Sequence, residues 1–161
     1  SALMGKENDG FRVAVAELAG GRIGIGSLAL GIGLAAMDYA RDYISQRKQF
    51  DQELSKFQGL QWILADRYTD LEAARLLLMN AACLKEQGQA FSKQASMAKL
   101  FASEKANIAC YDALQMLGGY GYIKEYPLER LTRDVRITSI YEGTSEIQRI
   151  VIARELLKEI A

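Results

Sequence analysis

Glu142 is a carboxylate whose surroundings are compatible with acid–base chemistry. It lies between Tyr141 and Gly143, follows Ile140, and comes just before a predicted helix. The chain contains no histidine, which excludes Ser-His-Asp and Cys-His catalysis and the His-Glu-x-x-His zinc motif. A general base must therefore be a carboxylate, Lys, Tyr or Cys. From position alone, Glu142 is either such a base or an acid that complements the dipole of the helix.

Two further clusters carry hydrogen-bond donors or adaptable backbone. Arg47, Lys48 and Gln49 precede Phe50 at the end of a predicted helix. Cations at that point also complement the helix dipole without any ligand, so both readings stay open. The segment 115–122 ends another predicted helix and contains three glycines, which is more than a helix stop requires.

Two stretches match the dinucleotide-binding pattern Gly-x-Gly-x-x-Ala, one from Gly24 to Ala29 and one from Gly31 to Ala36. The pattern binds phosphate where a strand turns into a helix. Here the glycines lie inside one continuous apolar helix pattern. They predict the close approach of a neighbouring helix instead of a cofactor site.

The elements that must position these residues are helices. Apolar residues recur at helical spacing, and the only proline, Pro127, comes late in the chain. The pattern predicts an all-α fold, an up-and-down four-helix bundle with a short extra helix and a glycine-containing loop before the last helix. No strand is expected.

The boundaries of the predicted helices follow from capping and stop signals. The first long helix is expected over 22–48, the second from a capping box of Ser55 and Gln58 to residues 87–88, and the third from an N-cap at Ser92 to the glycines at 118–119. Pro127 suits the first turn of the short helix. Ser145 and Gln148 predict a second capping box after Gly143.

Charge and composition restrict the partners. The 20 basic side chains are matched by 20 acidic ones, which argues against nucleic acid or an anionic membrane as the main partner. Cys83 and Cys110 form no close-spaced pair, so neither a metal site nor a redox dithiol is expected. No apolar run is expected to reach the roughly 20 residues of a membrane span, and no signal sequence is recognised. We expect a soluble intracellular protein.

Four motifs in this order resemble the acyl-CoA dehydrogenases. They are Gly-Arg-Ile-Gly at 21–24, Arg-Lys-Gln-Phe at 47–50, Gln-Met-Leu-Gly-Gly at 115–119 and Tyr-Glu-Gly-Thr-Ser-Glu-Ile-Gln-Arg at 141–149. The resemblance covers nearly the whole chain, from about Met4 to the end. Four motifs in register are far more specific than any single one of them.

The resemblance implies a flavin-dependent reaction. Family members desaturate an acyl-CoA thioester between Cα and Cβ, with a base taking the α-proton while hydride leaves Cβ for N5 of FAD. By its place in the motif, Glu142 is that base, and its backbone N–H would help to stabilise the thioester oxygen. Some relatives carry the base at the position that is Gly21 here. The implied substrate contacts are Gly21, Arg22 and Gly143.

The resemblance also assigns residues to FAD. Residues 47–49 would contact its pyrophosphate and adenosine portion across a dimer interface, residues 115–119 would receive the adenosine end, and residues 144–146 would meet the dinucleotide at a helix N-terminus. The implied set is Arg47, Lys48, Gln49, Phe57, Gln58, Gln115, Met116, Leu117, Gly118, Gly119, Thr144, Ser145 and Glu146.

A whole family member also has an amino-terminal helical domain and a middle β-domain, whereas residues 1–161 resemble the carboxy-terminal helical bundle. We therefore expect this domain alone to be inactive and to self-associate as a homodimer or homotetramer. Electron-transferring flavoprotein is the implied electron acceptor, and bacterial cytoplasm or the mitochondrial matrix the implied location. Thr138, four residues before Glu142, resembles the short-chain members.

Two other functions are compatible with the same motifs. An acyl-CoA oxidase-like flavoenzyme shares the bundle but passes electrons to oxygen. A non-catalytic helical oligomerisation module would keep the bundle and lose the chemistry, although Glu142 and the three cofactor motifs argue against it.

Overall fold

The structure is a computed structural model that describes residues 5–160, except for the side chains at positions 12, 15 and 16. The helices found in this part of the chain are α1 (Gly10–Gln46), α2 (Gln58–Glu86), α3 (Ser92–Leu117), α4 (Gly119–Tyr122), α5 (Leu128–Arg136) and α6 (Ser145–Lys158). Short 3-10 turns lie at Leu54–Lys56 and Ile137–Ser139. The strands β1 (Lys48–Gln49) and β2 (Gln52–Glu53) pair antiparallel.

Contacts between the long helices fix their directions. The pairs are Gly26–Leu78 and Asp38–Tyr68 between α1 and α2, Asp70–Lys105 and Arg67–Asp112 between α2 and α3, and Glu104–Ser145 and Lys93–Glu159 between α3 and α6. In each set, residue numbers rise along one helix as they fall along the other. Each helix therefore runs antiparallel to the next, and the predicted all-α, up-and-down four-helix bundle is confirmed.

Helix α3 is the centre of the bundle, since it contacts α1, α2, α5 and α6. Its buried face consists mainly of alanines, namely Ala95, Ala98, Ala102, Ala106, Ala109 and Ala113. Such small side chains let neighbouring helices pack at short range. Larger side chains from those neighbours, including Met37, Leu71 and Leu128, complete the core.

The glycines of α1 mark its closest contacts. A Cβ added at Gly26 would lie 2.6 Å from Cδ2 of Leu78, and one added at Gly33 would lie 3.3 Å from Cα of Ala106. The prediction of close helix approach is confirmed at these two positions. At Gly24 and Gly31 no described atom outside the local helix lies within 4 Å, so the prediction is wrong there. None of the four glycines is in a strand-to-helix turn.

The predicted start of α1 is wrong, its end lies earlier than predicted, and the turn that follows differs from the prediction. The helix begins at Gly10 instead of Arg22 and ends at Gln46, so Lys48 belongs to a strand pair that the sequence did not suggest. The chain reverses through Phe50 and Asp51, both at positive φ (52° and 62°). The Leu54 N–H then donates to the Arg47 carbonyl at 2.9 Å. Two-residue polar strands carry too little alternation to be recognised in a sequence.

Each predicted N-cap is displaced by one or two residues. Ser55 lies in a 3-10 turn and Phe57 is the N-cap of α2, while Phe91 precedes α3 in place of Ser92. For α6 the cap is Thr144, whose side chain accepts from the Ile147 N–H at 3.4 Å. The predicted capping boxes are therefore wrong, although the helices themselves begin where expected to within a turn.

The segment Glu17–Gln46 of α1 is long and apolar enough to cross a membrane, by length and composition only. The expectation that no segment meets this criterion is therefore wrong. One such helix is weak evidence of a span, because the core helix of a soluble protein passes the same test. In this structure α1 packs against α2, α3 and α5.

Candidate active site

Glu142 lies on the short loop between the 3-10 turn Ile137–Ser139 and α6. Its φ is 55° and that of Gly143 is 89°, so two successive residues adopt the left-handed region. For a residue with a side chain this conformation costs of order 1–3 kcal/mol and persists only where the surroundings impose it. Backbone strain of this kind is concentrated at functional sites.

Two buried side chains hold this loop by hydrogen bonds to its backbone. Lys99 of α3 is fully buried, and its Nζ donates to the Gly143 carbonyl at 2.9 Å. Gln148 of α6, also fully buried, donates from Nε2 to the same carbonyl at 2.8 Å and to the Glu142 carbonyl at 3.1 Å. Both carbonyls of the left-handed pair are therefore fixed.

The Glu142 side chain extends from this loop onto α1 at Gly21. A Cβ added at Gly21 would lie 2.6 Å from Oε2 and 2.9 Å from Cδ of Glu142. Oε2 is buried and has no hydrogen-bond partner in the described residues. Because residue 21 is glycine, the space where its side chain would lie is open, and the Glu142 carboxylate occupies it. The two positions considered for the base, 21 and 142, therefore meet at one site.

Two cations are buried around this carboxylate. Arg22 is 6% exposed and donates from Nη1 to Oγ of Ser96 at 3.2 Å, while Lys99 is 0% exposed. Desolvation lowers the pKa of both cations. The charge of Glu142 raises the pKa of Arg22, and the charges of Glu104 and Glu142 raise the pKa of Lys99. Arg22 thus lies within the bundle near Glu142, and not on an open face.

Gly143 and Thr138 differ in their relation to the site. Gly143 continues the left-handed loop, and a Cβ there would lie 2.8 Å from Nε2 of Gln148. Thr138 is fully buried and donates from Oγ1 to the Val135 carbonyl at 2.6 Å. The side chain of Thr138 is therefore part of the turn that leads to Glu142.

Thr144, Ser145 and Glu146 lie at the N-terminus of α6 and line a cleft of about 480 Å³. Ser145 donates from Oγ to Glu104. The pKa of the Glu146 carboxylate is lowered by hydrogen bonds from the backbone N–H of Glu146 itself and from the side chain of Thr144. The remaining lining residues are Glu104, Asn107, Arg136, Ser139, Ile140 and Arg149. The guanidinium groups of Arg136 and Arg149 suit a polar, anionic ligand, and Glu104 and Glu146 place two carboxylates in the same cleft.

The other predicted cofactor residues form a second group, at the opposite end of α1. Arg47 follows α1, Lys48 and Gln49 form β1, and Phe57 and Gln58 begin α2. The end of α3 meets them, because the Arg47 guanidinium lies 5.7 Å from the ring centroid of Tyr120, just after the turn at Gly118.

The predicted residues at the end of α3 differ in exposure. Met116 and Leu117 are buried, whereas Gly118 (φ 58°) and Gly119 are exposed at the turn, and Gln115 is exposed on the last turn of the helix. The structure thus brings residues 47–49, 57–58 and 115–119 to one end of the bundle.

The two groups are far apart in one chain. Gly21, in contact with Glu142, and Arg47 are separated by 26 residues of essentially continuous helix, which is about 39 Å at 1.5 Å per residue. The residues around Glu142 and those around Arg47 therefore cannot contact the same part of one ligand.

Sequence reasoning missed Lys99 and Gln148, the two side chains that hold the loop. A signal for Lys99 exists, since it falls between Ala95 and Ala102 on a repeating face of α3 that otherwise carries small or apolar side chains. A lone cation on such a face predicts a buried polar contact. Gln148 was noticed only as part of a capping box.

The fold and this geometry define a helical domain in which the half-buried Glu142, with its Oε2 fully buried, lies next to a polar cleft. The chain belongs to the acyl-CoA dehydrogenase family: the family described as "Acyl-CoA dehydrogenase, C-terminal domain" matches residues 8–157. The resemblance noted in the motifs is therefore confirmed.

Similar proteins include members of the same family. An acyl-CoA dehydrogenase of Bacillus subtilis is 54% identical over 96% of this chain and 41% of its own length, and an acryloyl-CoA reductase (NADH) of Anaerotignum propionicum is 50% identical over 97% and 40%. The bovine mitochondrial short-chain specific acyl-CoA dehydrogenase is 53% identical over 98% and 38%.

A solved structure confirms the architecture. Butyryl-CoA dehydrogenase from Megasphaera elsdenii superposes with a TM-score of 0.94 at 47% identity, covering 95% of this chain and 40% of the other. The chain thus spans about two fifths of the length of the relatives that it matches.

Proposed function

We propose that residues 1–161 are the carboxy-terminal helical domain of an FAD-dependent acyl-CoA dehydrogenase that desaturates a short acyl-CoA between Cα and Cβ. The observation that carries this proposal is the Glu142 carboxylate, whose Oε2 is buried against Gly21 without a hydrogen-bond partner in the described residues. A buried polar atom without a partner is costly. That cost, on a strained loop, supports a role for this oxygen towards a ligand.

In the proposed reaction, the Glu142 carboxylate takes the α-proton of the thioester. Its backbone N–H, which has no acceptor among the described residues, is available to donate to the thioester oxygen as negative charge develops there. FAD, when bound, accepts the hydride that leaves Cβ. Gly21 leaves room for the carboxylate, and Gly143 allows the chain to turn directly into α6.

The residues around the cleft fit a dinucleotide. Arg136 and Arg149 bring positive charge to the start of a 14-residue helix, where Thr144 and Ser145 also line the cleft. These groups would hold part of FAD in the same subunit as Glu142. Gln115, Gly118 and Gly119 would hold the adenosine end of another FAD.

The proposal includes self-association. Arg47, Lys48 and Gln49 lie about 39 Å along α1 from the position of the Glu142 carboxylate, so they would serve the FAD of a partner subunit in a homodimer or homotetramer. Electron-transferring flavoprotein would reoxidise the flavin. Bacterial and mitochondrial relatives support a cytoplasmic or matrix location.

The reverse reaction is a second candidate. One relative at 50% identity is an acryloyl-CoA reductase (NADH), and in that direction Glu142 would donate a proton to Cα instead of accepting it. Two anaerobic experiments on the complete protein would show which direction dominates. In one, the protein with oxidised flavin is mixed with butyryl-CoA, and in the other the protein with reduced flavin is mixed with crotonyl-CoA.

The proposed function is tested in the full-length protein by flavin bleaching. Butyryl-CoA should bleach bound FAD under anaerobic conditions, whereas Glu142→Gln should bleach about 100- to 10,000-fold more slowly, the usual contribution of a general base. FAD content and the melting temperature should not change. The 161-residue chain alone should show no activity. Bleaching of Glu142→Gln at the unmodified rate would refute the assignment, and failure to bind FAD would favour an oligomerisation module.

A further inference from the structure

Lys99 is an unusual residue for its position. It lies on the alanine-rich face of α3 and is fully buried. The described residues include no salt bridge to its Nζ, which donates instead to the backbone carbonyl of Gly143 at 2.9 Å, 44 residues away in the chain. Lysine is almost never fully buried unless it is paired, so this hydrogen bond must account for its place.

The charged groups that act on the pKa of Lys99 come from several elements. Arg22 lies on α1, Glu104 on α3 itself, Glu142 on the loop and Glu146 on α6. The ammonium is thus surrounded by charges of both signs without a direct ionic contact to any of them. Its hydrogen bond to the Gly143 carbonyl is charge-assisted, and such bonds are shorter and stronger than those of neutral donors.

The acceptor of this bond is a backbone atom of the strained pair. The Gly143 carbonyl accepts from Lys99 on α3 and from Gln148 on α6. The peptide between Glu142 and Gly143 is fixed as well, because its carbonyl accepts from Gln148. Two helices therefore hold the two residues at positive φ, and the direction of the Glu142 side chain onto Gly21 follows from that backbone.

We propose that Lys99 is a positioning residue, which clamps the Gly143 carbonyl so that the Glu142 carboxylate lies over Gly21. The proposal rests on the proposed function for its kinetic consequence. Its structural part, the position of the carboxylate, does not depend on that function.

The experiment compares Lys99→Met with Lys105→Met in the full-length protein. Methionine removes the donor while filling similar space. Lys105 lies on the same helix and pairs with Asp70 at 3.0 Å, away from the loop, so its variant controls for loss of a lysine from α3. In Lys99→Met, flavin bleaching at saturating butyryl-CoA should fall about 100-fold, as expected for a base displaced by about 1 Å. The dissociation constant for butyryl-CoA should stay within about two-fold.

A purely structural role would give a different result. FAD content and activity would then fall in the same proportion, and bleaching per bound flavin would stay within about two-fold of the unmodified protein. That outcome would overturn the proposal. If Lys99→Met does not fold, Lys99→Gln replaces it, because its amide nitrogen ends one bond short of Nζ and leaves a polar group in the same space.

A crystal structure of the variant separates this proposal from the proposed function. If Lys99 positions the loop, φ of Glu142 leaves the positive region or its carboxylate moves away from Gly21. An unchanged carboxylate would overturn the proposal even if bleaching were slow. If the unmodified protein did not bleach at all, the proposed function would fail, and the structure of the variant would still decide the role of Lys99.

Discussion

At the scale of single residues, Gly21 is as important to the site as the carboxylate that lies on it. In Gly21→Ala, the new Cβ would lie 2.6 Å from Oε2 of Glu142, so the carboxylate has to move. We expect flavin bleaching by butyryl-CoA to fall about 10- to 100-fold in the full-length protein. Stability should change by less than about 1 kcal/mol, because alanine gains helix propensity and the displaced group is the end of a flexible side chain.

Gly24→Ala is the matched control on the same helix. No described atom outside the local helix lies within 4 Å of a Cβ at Gly24, so alanine should stabilise α1 by about 1 kcal/mol and leave the bleaching rate unchanged. Equal rates in the two variants would show that the carboxylate does not act from its place over Gly21.

The two cysteines should differ sharply in reactivity. Cys110 is fully buried and faces the Ile32 carbonyl, and burial raises the pKa of its thiol to about 12, whereas Cys83 is exposed. Titration of the folded chain with a thiol reagent at pH 8 should count one thiol, and titration in urea should count two. Two fast-reacting thiols in the folded chain would contradict the burial of Cys110.

The same thiol predicts a pH dependence of stability. The pKa of Cys110 is about 12 in the folded chain, against an ordinary value of 9.0, so the unfolded chain ionises first as the pH rises. The free energy of unfolding should therefore fall between about pH 9 and pH 12. Cys110→Ala, which removes the titrating group, should reduce this slope in thermal melts.

At the scale of the elements, the glycines of α1 distinguish contact from exposure. A Cβ at Gly33 would lie 2.9 Å from Cδ2 of Leu71 and 3.3 Å from Cα of Ala106. A Cβ at Gly31 would have no described atom outside the local helix within 4 Å. Gly33→Val should therefore destabilise the chain by about 3 kcal/mol through overpacking. Gly31→Val should change stability by less than about 0.5 kcal/mol.

Circular dichroism at 222 nm during heating measures this difference in the chain. For a chain of this size, 3 kcal/mol corresponds to a fall in melting temperature of roughly 6–12 °C. If both variants melted together with the unmodified chain, α1 would not approach α3 as closely as the structure shows.

The elements also show what a sequence can predict. Helix type and order followed from periodicity, and the ends of α2 and α3 followed from Gly88 and Gly118, both at positive φ. The amino-terminal part of α1 was missed, because Gly20 and Gly21 weaken the helix pattern just where Glu142 needs space. Which residues hold the loop could not be read either, since Lys99 and Glu142 are 43 positions apart and meet only when α6 packs on α3.

At the scale of the whole molecule, the proposed site is shared between subunits, because Arg47 and the Glu142 carboxylate of one chain lie about 39 Å apart along α1. Glu142→Gln and Arg47→Ala test this in the full-length protein. Each variant alone should be impaired, the first in proton transfer and the second in FAD binding. When the two are unfolded together and reassembled with FAD, a mixed dimer has one site with the intact Glu142 of one subunit and the intact Arg47 of the other.

Activity should therefore recover on mixing, in proportion to the mixed dimers formed, although neither parent regains it when treated alone. Sharing between subunits predicts this recovery because each variant lacks a different half of the same site. If Arg47 and Glu142 of one chain instead served one FAD, every site in the mixed dimer would carry one defect, and activity would equal the average of the parents. Adding Gly24→Ala subunits in place of Arg47→Ala subunits controls for the effect of mixing itself, since those subunits carry intact sites.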